Sequence, residues 1–106
     1  LKQMGFLVQS PDWLAVKDNH WTCIEVKKKE RFTPPPFEGH GLNGNQVYLR
    51  TRLLNEKEIR TYLLIFEVPT NFIFGQYLDI LEGNEKFITK NGIFVYPLES
   101  FRQIFI

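Results

Sequence analysis

Residues 11–27 read Pro-Asp-Trp-Leu-Ala-Val-Lys-Asp-Asn-His-Trp-Thr-Cys-Ile-Glu-Val-Lys, two strand-like runs around a polar turn, and they constrain the fold more than any other segment. Pro11–Val16 and Trp21–Lys27 are the strands, with Lys17-Asp18-Asn19-His20 as the turn. With Val16 opposite Trp21, Ala15 pairs with Thr22, Leu14 with Cys23, and Asp12 falls opposite Glu25. Directly opposed Cβ atoms lie about 4.5–5.5 Å apart, and like charges there destabilise the pair. Two carboxylates so placed need a cation between them, and an oxygen-preferring divalent ion is the natural one. Lys27 projects from the same face as Glu25 because the strand period is two. The other face carries Trp13, Ala15, Thr22, Ile24 and Val26 and is expected to be the core face.

Pro11-Asp12, a dozen residues, and then Glu25-Val26-Lys27 resembles the signature of the PD-(D/E)XK nuclease superfamily, the fold of many restriction enzymes, Holliday-junction resolvases and repair nucleases. Gln46-Val47-Tyr48-Leu49-Arg50 is similar to the glutamine-headed helix that follows in many members, and Arg60–Phe66 to the next core strand. The resemblance spans residues 1–66. It implies an α+β (α/β) fold with a restriction-endonuclease-like mixed central sheet flanked by helices, in one domain over residues 1–106. One departure is plain: no acid precedes Asp12, and Leu1–Met4 reads as the last turn of a helix ended by Gly5. Most of the family's first helix is therefore expected to be missing, with its extra carboxylate.

The implied activity is metal-dependent hydrolysis of DNA phosphodiesters, of the structure-specific resolvase kind. The alternative is a catalytically silent nucleic-acid-binding module of the same fold, and an unrelated α+β interaction protein is a third reading. Mg²⁺, with Mn²⁺ as substitute, would be held by Asp12, Glu25 and the backbone carbonyl of Val26. Lys27 would orient the attacking water or stabilise phosphoryl charge. Gln46, at a helix start, would hold that water or a phosphate. Lys28, Lys29, Arg31, His40, Arg50 and Arg52 are the candidate nucleic-acid contacts, on a rim around the acids.

Charge supports such a rim without making the chain generically basic. Net charge is only +1 over 106 residues, yet residues 1–60 carry ten basic and seven acidic side chains, against three and five in residues 61–106. No apolar run approaches the ~20 residues of a membrane span and no signal peptide is visible, so no membrane partner and a cytoplasmic or nucleoid-associated location are expected. Cys23 is the single cysteine, which excludes an internal disulfide; it reads as a small buried hydrophobe rather than a nucleophile. DNA is the expected partner, with a homodimer or a larger parent protein as the assembly.

Elsewhere, Gly5–Gln9 reads as a short strand. Thr33-Pro34-Pro35-Pro36 ends regular structure, and a loop to Asn45, with His40 between two glycines, borders the site. Asn43 or Asn45 caps a helix over Gln46–Glu56, and Arg60–Val68 is a strand ended by Pro69. Phe72–Leu81 is ambiguous. Lys86–Thr89 and Ile93–Pro97 form a hairpin about Asn91-Gly92, and Glu99–Arg102 starts a short helix.

Overall fold

The computed structural model describes residues 13–105 and is an α+β protein built on two sheets. Asp12 and the expected strand Gly5–Gln9 lie outside the described residues. The larger sheet begins with the hairpin β1 (Trp13–Lys17) and β2 (His20–Glu30). Val16 pairs with Trp21, Ala15 with Thr22 and Leu14 with Cys23, the register expected from the sequence. The turn is tighter than expected, because Lys17 pairs with His20 and only Asp18 and Asn19 turn. Both have positive φ, 53° and 66°, as a two-residue turn matching strand twist requires. Asx residues tolerate that conformation best after glycine.

From β2 the chain crosses through β3 (Gly39–Asn43) and α1 (Gly44–Lys57) to β4 (Arg60–Val68), which lies parallel to β2 along nine residue pairs. Two antiparallel strands, β5 (Ile73–Tyr77) and β8 (Arg102–Ile104), complete the order β1-β2-β4-β5-β8. The short α2 (Leu78–Glu82) follows β5, so the ambiguous Phe72–Leu81 segment divides into a strand and a helical turn. The second sheet is β3-β7-β6, with β6 (Phe87–Ile88) and β7 (Ile93–Pro97) forming the expected hairpin. The short helix expected to start over Glu99–Arg102 is instead a single 3₁₀ turn, Leu98–Ser100, and Arg102 already belongs to β8.

α1 starts where Asn43 Oδ1 accepts the N–H of Asn45 at 2.8 Å, satisfying one of the helix's orphan donors. Val47, Arg50 and Leu53 are its buried residues, a stripe at spacing three that faces the sheet. Leu53 packs with Cys23 and Ile59, each such aliphatic burial stabilising the fold by about 1.5–3 kcal/mol. The larger cluster joins Leu63, Ile65 and Phe74 of the main sheet to Leu42 and Tyr96 of the small one, with Val47, Leu78, Leu81 and Phe101 around them.

Two expectations are corrected here. The face expected to form the core is the more exposed one: Trp13 is 61% accessible, and Phe66, on the same face of β4, 39%. Cys23 and Glu25, on the supposed outer face, are completely buried, because α1 and the small sheet cover that side. The segment Thr33–Asn45 is also not one long loop. Gly39–Asn43 is a buried strand against β7, where side chains at Gly39 and Gly41 would collide with the carbonyls of Tyr96 and Phe94. These glycines allow close backbone approach rather than looseness.

Candidate functional site

β2 and β4 bring a row of charges onto the covered face of the main sheet. Cys23, Glu25, Lys27 and Lys29 alternate along β2, opposite Thr61, Leu63, Ile65 and Glu67 of β4. Glu25 and Glu67 are both buried, and four strand residues, roughly 13 Å, separate their positions.

At the first carboxylate, Arg50 reaches down from α1. Its Nη2 and Nε donate to Glu25 Oε1 at 2.9 and 3.2 Å. Lys27 Nζ stands 3.7 Å from Glu25 Oε2, too far for a hydrogen bond but close enough for a strong charge interaction. The Lys27 side chain is 25% exposed, while that of Glu25 is fully buried. Gln46 is half-buried in the first turn of α1, one helical turn before Arg50 and on the same side of the helix. Val26 follows Glu25 with its side chain on the opposite face.

Behind Arg50, between α1 and α2, lies a cavity of about 270 Å³ whose wall includes Arg50, Thr51, Thr61, Asp79 and Glu82. The hydroxyl of Thr61 is buried and has no hydrogen-bond partner among the described residues. Asp79 accepts both arms of Arg60, and Glu82 accepts Lys86 and the Tyr96 hydroxyl. Burial, followed by the contact with Glu82, pushes the Tyr96 hydroxyl well above the usual phenol range.

At the second carboxylate the arrangement is closed. Arg31 donates from Nε and Nη2 to the two oxygens of Glu67 at 2.8 and 3.0 Å, His40 Nε2 lies 2.7 Å from Oε1, and the Thr70 hydroxyl donates to Oε2. Burial alone would raise the Glu67 pKa, but the bonds from Arg31, Thr70 and His40 reverse that and hold it down to about 2. Burial lowers the His40 pKa, against the pull of Glu67, and favours the neutral ring. Lys29 Nζ donates to Gly41 O at 2.9 Å, which ties β2 to β3. Its pKa is lowered by burial and then by Lys27.

The expected basic rim is therefore mostly engaged elsewhere. Arg50 is 2% exposed and His40 1%, so neither is on the rim: the first lies under its helix, the second in β3. Arg31 is paired with Glu67 and Glu38, and Arg52 with Glu56 one turn on. Lys28 is exposed, on the face opposite Glu25. Sequence reasoning missed two things, both signalled by position. Arg50 stands in the buried i, i+3, i+6 stripe of Val47 and Leu53. Glu67 continues the alternation of Leu63 and Ile65, a charge where the strand's core face requires a partner.

Mg²⁺ is the ion that the sequence resemblance implies. The described donors, the Glu25 carboxylate and the Val26 carbonyl, are hard oxygens of the right chemistry. Asp12, the further donor, is outside the described residues, and among the described residues no group of three His, Cys, Asp or Glu side chains gathers. Among them, too, no helix is long and apolar enough to cross a membrane. No family model, curated protein or solved structure matches the chain.

Proposed function

We propose that this chain is a PD-(D/E)XK-type domain that hydrolyses DNA phosphodiesters with Mg²⁺, Mn²⁺ being the substitute. The observation that carries the reading is the Glu25–Lys27 pair: a fully buried carboxylate with an ammonium 3.7 Å away on the same strand face, from a lysine side chain that is partly exposed. The hairpin register, followed by a helix and a parallel strand beside the Glu25 strand, supports the same reading.

In this proposal Asp12, Glu25 and the Val26 carbonyl hold the cation, which when bound neutralises phosphoryl charge and lowers the pKa of water. Lys27 places a fixed positive charge at the phosphoryl oxygens, where negative charge grows as the pentavalent centre forms. Its partial burial strengthens that interaction relative to bulk water. Gln46, in the first turn of α1, orients the attacking water by hydrogen bonding. Lys28 attracts the backbone electrostatically.

A second reading has a specific observation behind it. Arg50 already neutralises Glu25, so the pair is also what a silent nucleic-acid-binding module of this fold would keep for structural reasons. Incubation with linear, branched and single-stranded DNA in Mg²⁺, Mn²⁺ or chelator separates the two. Metal-dependent cleavage that disappears in Glu25→Ala is expected. DNA binding without cleavage would establish the silent module, and neither binding nor cleavage would leave an interaction protein.

A further inference from the structure

We propose that the face of the main sheet opposite Glu25 is a docking surface for an acidic amphipathic helix of a protein partner, anchored in the pocket beside Lys28. The inference goes beyond the nuclease reading and does not depend on it.

Strand parity defines the face. Trp13 pairs with Ile24, Ile24 with Tyr62 and Tyr62 with Tyr77, one row across four strands. Next to it run two further rows, Val26, Leu64, Gly75 and Arg102, then Lys28, Phe66, Ile73 and Ile104. Ile24, Val26, Leu64, Ile73 and Ile104 are only half-buried, and Trp13 and Phe66 are exposed. Both helices and the small sheet pack on the Glu25 side, through Leu42, Val47, Leu53, Leu78, Leu81 and Tyr96. Among the described residues, three rows of a largely apolar surface thus have no covering layer. A sheet buries such a surface against another element or a partner.

Charge, shape and ring geometry select the occupant. Lys17, Lys28 and Arg102 are exposed at the perimeter with no ion pair among the described residues, whereas Arg60 is held by Asp79. Glu30 is the one acid at the described strand positions of this face. A positive rim around an apolar centre fits a helix whose polar side is acidic. It opposes a second copy, which would set the same rim against itself. At one end of the face a pocket of about 330 Å³ opens among Phe66, Val68, Phe72 and Ile73, with Lys28 and Asn71 in its wall. It has room for a large apolar side chain, and Lys28 offers its ammonium to an acid beside that side chain.

The rings are not placed to stack bases. The Arg60 guanidinium lies 3.7 Å from the Tyr77 ring centre and Tyr62 meets Tyr77 edge-on at 5.0 Å, so both tyrosines are engaged within the protein. Trp13 and Phe66 stand two strands and four residues apart, roughly 16 Å, with aliphatic side chains between them. Single-stranded nucleic acid needs neighbouring ring faces, whereas the apolar stripe of a helix needs only contiguous apolar surface. A helix of 14 residues, the length of α1 on the other side, is about 21 Å long and crosses the five strands.

Peptide display with the full chain as bait tests this. The library consists of 14-residue helices with a fixed leucine stripe at helical spacing and random polar residues elsewhere. Selected members should carry Asp or Glu over Lys or Arg at the random positions by at least about threefold. In fluorescence anisotropy, Phe66→Gln should weaken binding of a selected peptide at least about tenfold. Lys28→Glu, a change at an exposed strand position, should weaken it about threefold, and replacing one peptide acid by lysine should restore binding to that variant. If Phe66→Gln does not fold, Lys28→Glu and its rescue carry the test.

Selected peptides without acidic bias, or binding indifferent to the substitutions, overturn the proposal. So does sedimentation as a dimer that becomes a monomer in Lys28→Glu or Phe66→Gln, because a second copy then fills the face. Oligo(dT) that displaces the peptide in chelator and itself requires Phe66 also overturns it, making the face a base-stacking platform.

Discussion

Two buried carboxylates sit on the same face of the same sheet, and they are built to opposite ends. Glu67 receives Arg31 on both oxygens, His40 on one and Thr70 on the other, all from its immediate surroundings. Glu25 takes Arg50 on one oxygen and faces Lys27 across 3.7 Å at the other, with that lysine bordering solvent. The first arrangement saturates its carboxylate with hydrogen bonds, which is what a buried charge needs to be tolerated. The second balances its charge with Arg50 and with Lys27, whose side chain is partly exposed. Glu67 is held down to about 2 because Arg31, Thr70 and His40 all bond to it. Perturbation by itself is a poor pointer to chemistry where ion-pair networks produce it equally well.

The largest expected effect is on the closed end. Glu67→Ala takes the buried carboxylate from His40 and Arg31, leaving Arg31 its contact with Glu38, and breaking a buried pair by deleting one member costs about 3–5 kcal/mol. Urea unfolding should show that loss; a change below about 1 kcal/mol would mean that the network is decorative and that the two ends are alike.

Lys27 and Lys29, two residues apart on one strand face, sharpen the comparison next. Lys27→Ala should lower the single-turnover cleavage rate about 10²–10³-fold, the usual consequence of losing one preorganised charge. Lys29→Ala should leave the rate of folded protein within a fewfold, since its ammonium is committed to Gly41 O. Equal losses for both would erase the distinction between a catalytic and a structural lysine.

Acid should act through the closed end. The Glu67 pKa is depressed from an ordinary value of 4.5 to about 2, so the unfolded chain takes up the proton first. Its contribution is present above about pH 4.5 and is lost as pH falls towards 2. At about 1.4 kcal/mol per pH unit that amounts to ~3 kcal/mol. Thermal melts between pH 6 and 2 should steepen across this window in the parent and flatten in Glu67→Gln.

The smallest effect belongs to the surface. Arg52 pairs with Glu56 one turn along α1, both more than 40% exposed, and Arg52→Ala should leave the thermal midpoint close to the parent's. A large loss of DNA affinity in this variant, measured in Ca²⁺, would restore Arg52 to the nucleic-acid rim.

Much of the local structure was legible because it depends on local chemistry. The hairpin register follows from two β-rich runs and an Asp-Asn turn, and β4 runs from Arg60 to Val68 as expected because Glu58, with φ 57°, ends α1 and Pro69 ends the strand. What escaped was which face would be covered. Cys23, Glu25 and Lys27 alternate with Thr22, Ile24 and Val26, and composition favours burying the second set. Tertiary packing decided otherwise, because α1 supplies Leu53 for Cys23 and Arg50 for Glu25. A buried ion pair between partners 25 residues apart has no short-range signal. Gly39 and Gly41 misled in the other direction, reading as loop residues where they permit tight strand pairing.

The central claim is that Glu25 is the carboxylate that works and Glu67 the one that holds. Single-turnover DNA cleavage in Mg²⁺, expressed per folded molecule, tests it in Glu25→Gln and Glu67→Gln. Both substitutions keep the side-chain shape, remove the charge and turn one acceptor oxygen into an NH2 donor. The account predicts that Glu25→Gln abolishes cleavage, while Glu67→Gln is less stable but cuts at a rate within a fewfold of the parent. Cleavage that survives Glu25→Gln and is lost in folded Glu67→Gln would contradict it.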